Sequence, residues 1–324
     1  MTTRTLRIEE VLFMKDIKYI LICGAGLMGK NIAFVMASNP TYEVGVYDLY
    51  ETDVAAGIRT NTKQLIAKGA LTEEELASRL SRISFTTDLD SELVRRADLV
   101  IEAVFEDMKI KRDIFAKLEA RCRPDTIFCT NSSVMSPSEI SAELQHRERF
   151  VGTHFWNPGH LIPLVEVVKS DASSDEVAQT VMDVLASAGK EPVLCKKDVP
   201  GFIANRMQHA LWREAISIVE RGIADAATVD KAVRYSFGLR LPQLGPMENA
   251  DMVGTDLTYN IHDYILKDLE DSHEPSPLLK KLRDEGKIGF KTGEGFQTWT
   301  PGQIKASNEG LNDYLVDMLY GKKK

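Results

Sequence analysis

Three glycines with the spacing Gly24-x-Gly26-x-x-Gly29 constrain the fold of this chain more than any other feature of its sequence. They follow the apolar run "YILIC" and open a stretch of helical periodicity. Such a unit directs the unpaired N–H groups of a helix N-terminus at a phosphate, with glycine where the backbone turns tightly or approaches the ligand. The pattern predicts a dinucleotide site; a glycine-rich structural turn is the alternative interpretation.

A carboxylate at the end of the next apolar run indicates which dinucleotide is bound. Asp48 closes "YEVGVYD", 19 residues after Gly29, and the following "LYET" contains no arginine. An acidic side chain at this offset accepts hydrogen bonds from a ribose 2′-hydroxyl and repels a 2′-phosphate. The sequence therefore predicts NAD as the cofactor, in preference to NADP.

The order of predicted elements indicates two domains. From Lys18 to Lys197, short β-branched runs alternate with helical stretches, which is typical of an α/β, doubly wound Rossmann-type domain. We assign residues 1–197 to this domain, with an extension over 1–16 and a helical hairpin inserted at about 51–80. After "KKDVPGF" the strand patterns stop, and helical periodicity predicts a smaller all-α C-terminal domain over 198–324.

Composition excludes several kinds of partner. The net charge of −8 argues against nucleic acid, because phosphate binding needs a basic surface. No apolar run is long enough to span a membrane. The four cysteines are scattered without a paired spacing, and no metal-binding histidine pair occurs, so we expect reduced thiols, no metal and a cytoplasmic location. The expected partner is a small-molecule substrate.

A histidine and a glutamate flank the turn in "HFWNPGHLIPLVEVV". His154 and Glu166 are 12 residues apart, and a reversal centred on His160 would place them opposite each other on neighbouring strands. An imidazole held by a carboxylate can take a hydroxyl proton while a hydride leaves carbon for a nicotinamide. A structural histidine is the alternative, and His160 is a rival base that we expect to be exposed in the turn.

Several motifs occur in a characteristic order between residues 18 and 300. They are "GAGLMG", "ADLVIEAVFED", "TIFCTNSSV", "FVGTHFWNP", "LVEVV", "DVPGFIANR" and "GFKTGEGF". With them the chain resembles the L-3-hydroxyacyl-CoA dehydrogenase family. The resemblance implies hydride exchange between NAD and a 3-hydroxy/3-keto acyl thioester, in a homodimer held together by the helical C-terminal domain.

The resemblance also assigns roles to individual residues. It implies that His154 is the catalytic base, that Glu166 orients it, and that Ser133 and Asn205 contact the substrate. It places the cofactor contacts at Gly24, Gly26, Leu27, Met28, Gly29, Asp48, Glu106, Lys111, Ser133, Asn157 and Lys291. Structural alternatives stay open for a serine turn at 132–133, an exposed Asn205, a solvated charged helix face at 106–111 and a surface lysine at 291.

The sequence departs from the family pattern on the substrate side. Family members that use thioesters carry a serine and a lysine on the inserted hairpin; here these positions are Asn61 and Lys68. The turn "PGHLIPL" also differs from the usual "PVPVMKL"-like stretch. The overall family resemblance and the retained Lys68 still favour a 3-hydroxyacyl-CoA substrate, with two alternatives. One is a free hydroxy acid or alcohol, as in the gulonate dehydrogenase/lambda-crystallin and pyridine-alcohol dehydrogenase branches; the other is a non-catalytic NAD-binding role.

Overall fold

The computed structural model describes residues 16–321, and its first part is built around a mixed β-sheet. The strands are β1 (Tyr19–Cys23), β2 (Glu43–Tyr47), β3 (Ile83–Thr86), β4 (Leu99–Glu102), β5 (Ile127–Thr130), β6 (Phe150–Phe155), β7 (Leu164–Lys169) and β8 (Glu191–Cys195). Across the described sheet their order is β3-β2-β1-β4-β5-β6-β7-β8. The predicted N-terminal extension lies outside the described residues except for Asp16.

Helices cover both faces of this sheet. They are α1 (Leu27–Met36), α2 (Val54–Ala67), α3 (Glu73–Leu80), α4 (Glu92–Arg95), α5 (Met108–Glu119), α6 (Pro137–Ile140) and α7 (Asp175–Ser187). Successive strand residues point to opposite faces, so Ile20 and Ile22 of β1 join the core cluster that includes α1, α2 and α7. Leu21 and Cys23 join a second cluster with α5 on the other face. The predicted α/β, doubly wound domain is confirmed.

Two strands depart from the predicted pattern. Residues 83–86 were not predicted as a strand, because β3 is a four-residue edge strand whose side chains are only partly buried. The other departure is the pairing of β6 with β7, which is antiparallel, whereas the remaining pairs in the described sheet are parallel. A short turn joins these two strands, and such a turn connects antiparallel neighbours without a crossover helix.

The inserted hairpin consists of α2 and α3. Asp53 caps α2 by accepting a hydrogen bond from the Ala56 N–H, and Thr72 and Glu75 form a reciprocal capping box at the start of α3. Between the helices Gly69 has φ +68°, a left-handed conformation that glycine adopts without a Cβ penalty. In the hairpin predicted at about 51–80, local residues therefore explain where α2 begins, where the chain turns and where α3 begins.

The second part of the chain is helical. Its helices are α8 (Ala204–Glu220), α9 (Ala226–Arg234), α10 (Phe237–Arg240), α11 (Pro246–Val253), α12 (Thr255–Ile265), α13 (Pro277–Asp284) and α14 (Pro301–Tyr320). By internal contacts the helical unit is Ala204–Leu311, whereas the sheet-containing unit ends at Ile203 and resumes at Asn312.

The end of α14 thus lies with the sheet-containing unit, although the sequence placed residues 301–324 in the helical domain. The reason is apolar burial, because Val316 is 3% exposed within the main core cluster and Leu315 packs against it. Among the helices described within 16–321, none combines the length and apolarity that a membrane span requires.

Candidate functional site

The glycine loop lies at the carboxyl end of β1, where α/β sheets bind their ligands. Gly24 has φ +109°, and a Cβ there would lie 2.6 Å from the Ala103 carbonyl oxygen. A Cβ on Gly29 would lie 1.8 Å from the Gly24 carbonyl oxygen, so only glycine permits this approach of helix to loop. At Gly26, by contrast, a Cβ would meet nothing within 4 Å. The loop is thus packed on two sides and open at Gly26, which is the position where a pyrophosphate approaches the backbone.

Asp48 lies next to this loop, immediately after β2. Its Oδ2 accepts a hydrogen bond from the Ala25 N–H at 2.7 Å, and its Oδ1 accepts one from the Tyr50 N–H at 3.1 Å. Each carboxylate oxygen has a further lone pair available for a donor such as a ribose hydroxyl. The residues present therefore fit a dinucleotide whose ribose carries a free 2′-hydroxyl.

His154 and Glu166 face each other across the antiparallel ladder between β6 and β7. The His154 Nδ1 lies 2.8 Å from the Glu166 Oε2, and the two residues are 4% and 0% exposed. Because a carboxylate can only accept, Nδ1 donates the proton of this bond and Nε2 keeps its lone pair. The reversal expected around residue 160 is present, and it leaves one imidazole nitrogen able to take a proton.

Glu166 receives two further hydrogen bonds that sequence reasoning did not find. The Trp156 Nε1–H donates to Oε2 at 3.3 Å, and the Ile203 N–H donates to Oε1 at 2.8 Å. At least three donors therefore converge on one fully buried carboxylate and hold it beside the imidazole. The sequence shows a tryptophan directly after β6, close to His154, but it does not indicate that the indole N–H donates to Glu166.

Two aromatic rings border the imidazole. The ring centroids of Trp156 and Phe202 lie 5.4 Å and 5.7 Å from that of His154. Phe202 is 2% exposed and has φ +49°, a conformation that costs energy for a residue with a Cβ. The strained backbone brings this ring to the base, and the two rings together shield it from water. No sequence pattern marks Phe202 beyond its place in "DVPGFIANR".

Behind the glycine loop lies a buried ionic network. Lys111 is 1% exposed, and its Nζ contacts the Glu102 Oε1 at 2.7 Å and the Glu106 Oε2 at 3.2 Å. Ser132 donates a short hydrogen bond from its hydroxyl to Glu106. Burial acts to raise the pKa of Glu106, but the Ser132 hydrogen bond and the Lys111 charge hold that pKa below its ordinary value. Glu106 is thus a half-exposed carboxylate whose negative charge is stabilised by the buried ammonium group of Lys111.

The two serines of "TNSSV" have different environments. Ser132 is buried against Glu106, whereas Ser133 is exposed and donates its backbone N–H to the Glu106 Oε1 at 3.2 Å. The pair follows β5, whose carboxyl end lies beside that of β6, so Ser133 is placed at the same sheet edge as His154. Of the two side chains, that of Ser133 is the one presented to solvent.

The turn after His154 is held from below by a buried lysine. The Lys190 Nζ donates to the carbonyl oxygens of Gly159 and Ile162 at 2.7 and 2.8 Å, and burial lowers the pKa of Lys190 to about 8. His160 is partly buried in this turn, although the sequence led us to expect exposure. Burial and the Lys190 charge lower the pKa of His160 to about 4, against a hydrogen bond with the Asn61 backbone. In contrast, Asn157 is exposed.

Four further predicted residues lie elsewhere in the chain. Asn205 is the second residue of α8, and Lys291 is exposed in a turn after α13; both belong to the helical unit. On the hairpin, Asn61 donates from Nδ2 to the Asn31 Oδ1 at 2.7 Å, and Lys68 is ion-paired with Asp317 at 2.8 Å. The hairpin residues are therefore engaged inside the sheet-containing unit.

Comparison with known proteins identifies the family of the chain. Residues 19–199 match the family "3-hydroxyacyl-CoA dehydrogenase, NAD binding domain", and residues 201–299 match "3-hydroxyacyl-CoA dehydrogenase, C-terminal domain". The chain is 33% identical to 5-formyl-3-hydroxy-2-methylpyridine 4-carboxylate 5-dehydrogenase of Mesorhizobium japonicum, over 90% of this chain and 93% of that protein. It is 37% identical to a probable 3-hydroxybutyryl-CoA dehydrogenase of Bacillus subtilis, over 87% of this chain and 97% of that protein.

A solved structure is also similar. The crystal structure of a 5-formyl-3-hydroxy-2-methylpyridine 4-carboxylic acid 5-dehydrogenase, an NAD+-dependent dismutase, superimposes with a TM-score of 0.84 at 32% identity. The match covers 93% of this chain and 97% of that one. The likeness therefore extends through both units of the chain.

Proposed function

This chain belongs to the 3-hydroxyacyl-CoA dehydrogenase family and is an NAD-dependent oxidoreductase, and we propose that it oxidises a hydroxyl group of a small substrate with His154 as the base. The observation that carries this proposal is the buried 2.8 Å contact between His154 and Glu166 at the carboxyl edge of the sheet.

The proton chemistry follows from the hydrogen bonds of the dyad. Glu166 holds the Nδ1–H, so the lone pair on Nε2 accepts the hydroxyl proton of the substrate. The imidazolium that forms lies next to a buried carboxylate, which stabilises its charge. NAD, when bound, supplies the acceptor for the hydride of the same carbon. Trp156 and the Ile203 N–H keep the carboxylate in place during the proton transfer.

Ser133 and Asn205 complete the proposed set of substrate contacts. We assign each of them a hydrogen bond to a substrate oxygen, because a serine hydroxyl and an asparagine amide can both donate. Support for Ser133 comes from its exposure beside Glu106 at the sheet edge. Asn205 is included because of its position in the family motif.

Replacing the base tests the proposal. We expect His154→Ala to lower kcat by about 10²- to 10⁴-fold, the usual contribution of a positioned acid–base group, with little change in the affinity for NAD. The assay follows NADH absorbance, and NAD affinity is measured by calorimetry. His146→Ala, at an exposed histidine, is the matched control and should leave both quantities unchanged. A His154→Ala protein with near-normal turnover would exclude the assignment.

Two substrate classes fit this chemistry. The names of relatives such as the Bacillus subtilis protein support a 3-hydroxyacyl-CoA. The likeness to an enzyme whose name specifies a free pyridine derivative supports a free hydroxy acid or alcohol. A screen of 3-hydroxybutyryl-CoA against free hydroxy acids and pyridine alcohols would separate them. Absence of turnover with every substrate would instead favour a non-catalytic NAD-binding role.

We also propose a homodimer that covers the helical unit. Within 204–311, all of which the structure describes, Ser217 is the one residue classed as buried. Large apolar side chains of α8 such as Met207 and Trp212 are about half exposed, at 52% and 50%. A helical unit with so little buried apolar surface gains its stability by packing against another surface. Because family resemblance implies a second copy, sedimentation should give twice the 36.2 kDa of one chain.

A further inference from the structure

The chain between β6 and β7 has two of its backbone carbonyl groups bound by one buried lysine. We call residues 156–163 the β6–β7 turn. Lys190, which is 7% exposed and directly precedes β8, donates from Nζ to the carbonyl oxygens of Gly159 and Ile162 at 2.7 and 2.8 Å. Within the turn, the Ile162 N–H donates to the Pro158 carbonyl oxygen at 3.0 Å. The lysine side chain therefore attaches the β6–β7 turn to the start of β8.

The β6–β7 turn also contacts the carboxylate of the dyad and the helix that follows the glycine loop. At its first residue, the Trp156 indole donates to Glu166 at 3.3 Å. At Gly159 the turn is packed closely on α1, because a Cβ there would lie 3.1 Å from the Met28 Cε. Met28 is in the first turn of α1, where the helix N-terminus meets the phosphates of a dinucleotide. Lys190 thus binds the turn at the residue that contacts the cofactor helix.

The ammonium group of Lys190 is held by dipoles and not by a counter-ion. Among residues 16–321 no carboxylate forms an ion pair with it, and burial lowers the pKa of Lys190 to about 8. Its recorded neighbours are the two carbonyl groups, the His160 imidazole and the Phe155 ring, whose centroid lies 5.9 Å from Nζ. The pKa of His160 is lowered to about 4, so of these groups only the lysine changes charge at mildly alkaline pH.

We propose that Lys190 is a positioning residue whose ammonium group holds the β6–β7 turn against α1, so that NAD binds more tightly while this lysine is charged than when it is neutral. A neutral amine still has two N–H donors, but its hydrogen bonds to the carbonyl groups are weaker without the charge. Gly159 is then held less firmly against Met28 beside the NAD site. The strand ladder keeps His154 opposite Glu166 in both states, so kcat should change less than the affinity for NAD.

The inference rests on the proposed dehydrogenase function for its meaning in the reaction, but cofactor binding tests it without a substrate. NAD is titrated calorimetrically into the full-length wild type and into Lys190→Met, which has a side chain of similar length and no charge. If the charged form alone bound NAD, the wild-type affinity would be about 30-fold lower at about pH 9.5 than at about pH 6.5. Because the neutral amine still donates, we expect a loss of about tenfold.

The variant should behave differently from the wild type at both pH values. At about pH 6.5 we expect Lys190→Met to bind NAD about tenfold more weakly than the wild type, with no further loss at about pH 9.5. Lys117→Met, at an exposed lysine of α5, is the matched control and should keep the wild-type affinity at both pH values. Initial rates with NAD should show the same differences in KM, with a smaller change in kcat.

Amide hydrogen exchange followed by mass spectrometry measures the β6–β7 turn itself. The Leu161 and Ile162 N–H groups donate to the Pro158 carbonyl oxygen, and they should exchange faster in Lys190→Met than in the wild type. In the wild type their protection, corrected for the intrinsic effect of pH on exchange, should fall as the pH rises through about 8. This second readout needs neither a substrate nor the variant.

The possible results are distinguishable. Equal NAD affinity in the wild type and Lys190→Met would overturn the inference, as would a loss of affinity with pH that persists in the variant. If Lys190→Met does not fold, the wild-type series decides alone, and protection of the turn that is unchanged across about pH 8 would overturn the inference. A wild type without turnover of any hydroxy substrate would contradict the proposed function, while the NAD titrations would still decide the role of Lys190.

Discussion

Glu166→Gln is the substitution that most directly tests how the dyad is built. The hydrogen bonds that the carboxylate accepts include those from His154 and Trp156 on Oε2 and from the Ile203 N–H on Oε1. An amide has the same shape but a single accepting oxygen and one NH2 group. If its oxygen faces His154, the NH2 group opposes the Ile203 N–H. If it is reversed, the NH2 group faces His154 and favours the tautomer with the proton on Nε2, which cannot act as a base.

The size of the effect follows from these contacts. Hydrogen bonds to charged groups contribute about 1.5–3 kcal/mol. If that contribution is lost when the imidazolium forms, kcat falls by about 10- to 150-fold, because each 1.36 kcal/mol is a factor of ten. The opposed donors at Ile203 should also lower the free energy of unfolding by about 1–3 kcal/mol. The loss of rate is therefore expected to be milder than for His154→Ala.

Stopped-flow measurement of NADH formation across a pH series gives kcat and its pH profile, and urea unfolding gives the stability. Glu191→Gln, at an exposed position at the start of the neighbouring strand β8, is the matched control and should leave both unchanged. Trp156→Phe removes one donor and keeps the charge, so its loss of rate should be smaller. A Glu166→Gln enzyme with an unaltered kcat and pH profile would show that the pairing has no catalytic role.

Three further outcomes are expected. The enzyme should prefer NAD over NADP by at least about tenfold in kcat/KM, and Asp48→Asn should narrow this preference; a preference for NADP would contradict the role of Asp48. Because the pKa of His160 is lowered to about 4 from an ordinary 6.5, the unfolded chain binds a proton that the fold does not, and stability is lost as the pH falls from 6.5 toward 4. Urea titrations at pH 7 and pH 4.5 measure the drop in the free energy of unfolding between these two pH values. In His160→Gln this drop should be smaller than in the wild type by up to about 3 kcal/mol. Sedimentation should show a dimer, and Met207→Asp should shift it toward the monomer; a wild-type monomer at micromolar concentration would refute the proposed interface.

The fold was readable from the sequence where local patterns agree with tertiary packing. The glycine spacing after "YILIC" and the strand–helix alternation predicted the Rossmann-type unit, because buried parallel strands require continuous apolar runs. The capping box of Thr72 and Glu75 at the start of α3 is likewise a local pattern, within the hairpin predicted at about 51–80. By contrast, the position of Val316 in the core of the first unit depends on a contact far along the chain, which helical periodicity does not reveal.

For the candidate site too, the sequence predicted contacts that follow from local spacing and did not predict those that depend on tertiary packing. The 12-residue spacing predicted that a reversal centred on residue 160 would place His154 opposite Glu166, and the observed strand register has this pairing. The Ile203 N–H on Glu166 and the support of the turn by Lys190 were not predictable, because both depend on backbone groups that any residue carries. We expected His160 to be exposed, because turns usually lie at the protein surface. Its partial burial is explained by Asn61 of α2 and by Lys190, which lie beside it.

The antiparallel pairing of β6 with β7 separates the paired strand residues from the residues of the connection between them. The backbone ladder fixes His154 against Glu166, whereas residues 157–163 form a connection outside the strands. Insertions or exchanges in that connection would change the residues of the turn while the ladder keeps His154 paired with Glu166. The two strands and the connection between them can therefore vary independently of each other in sequence.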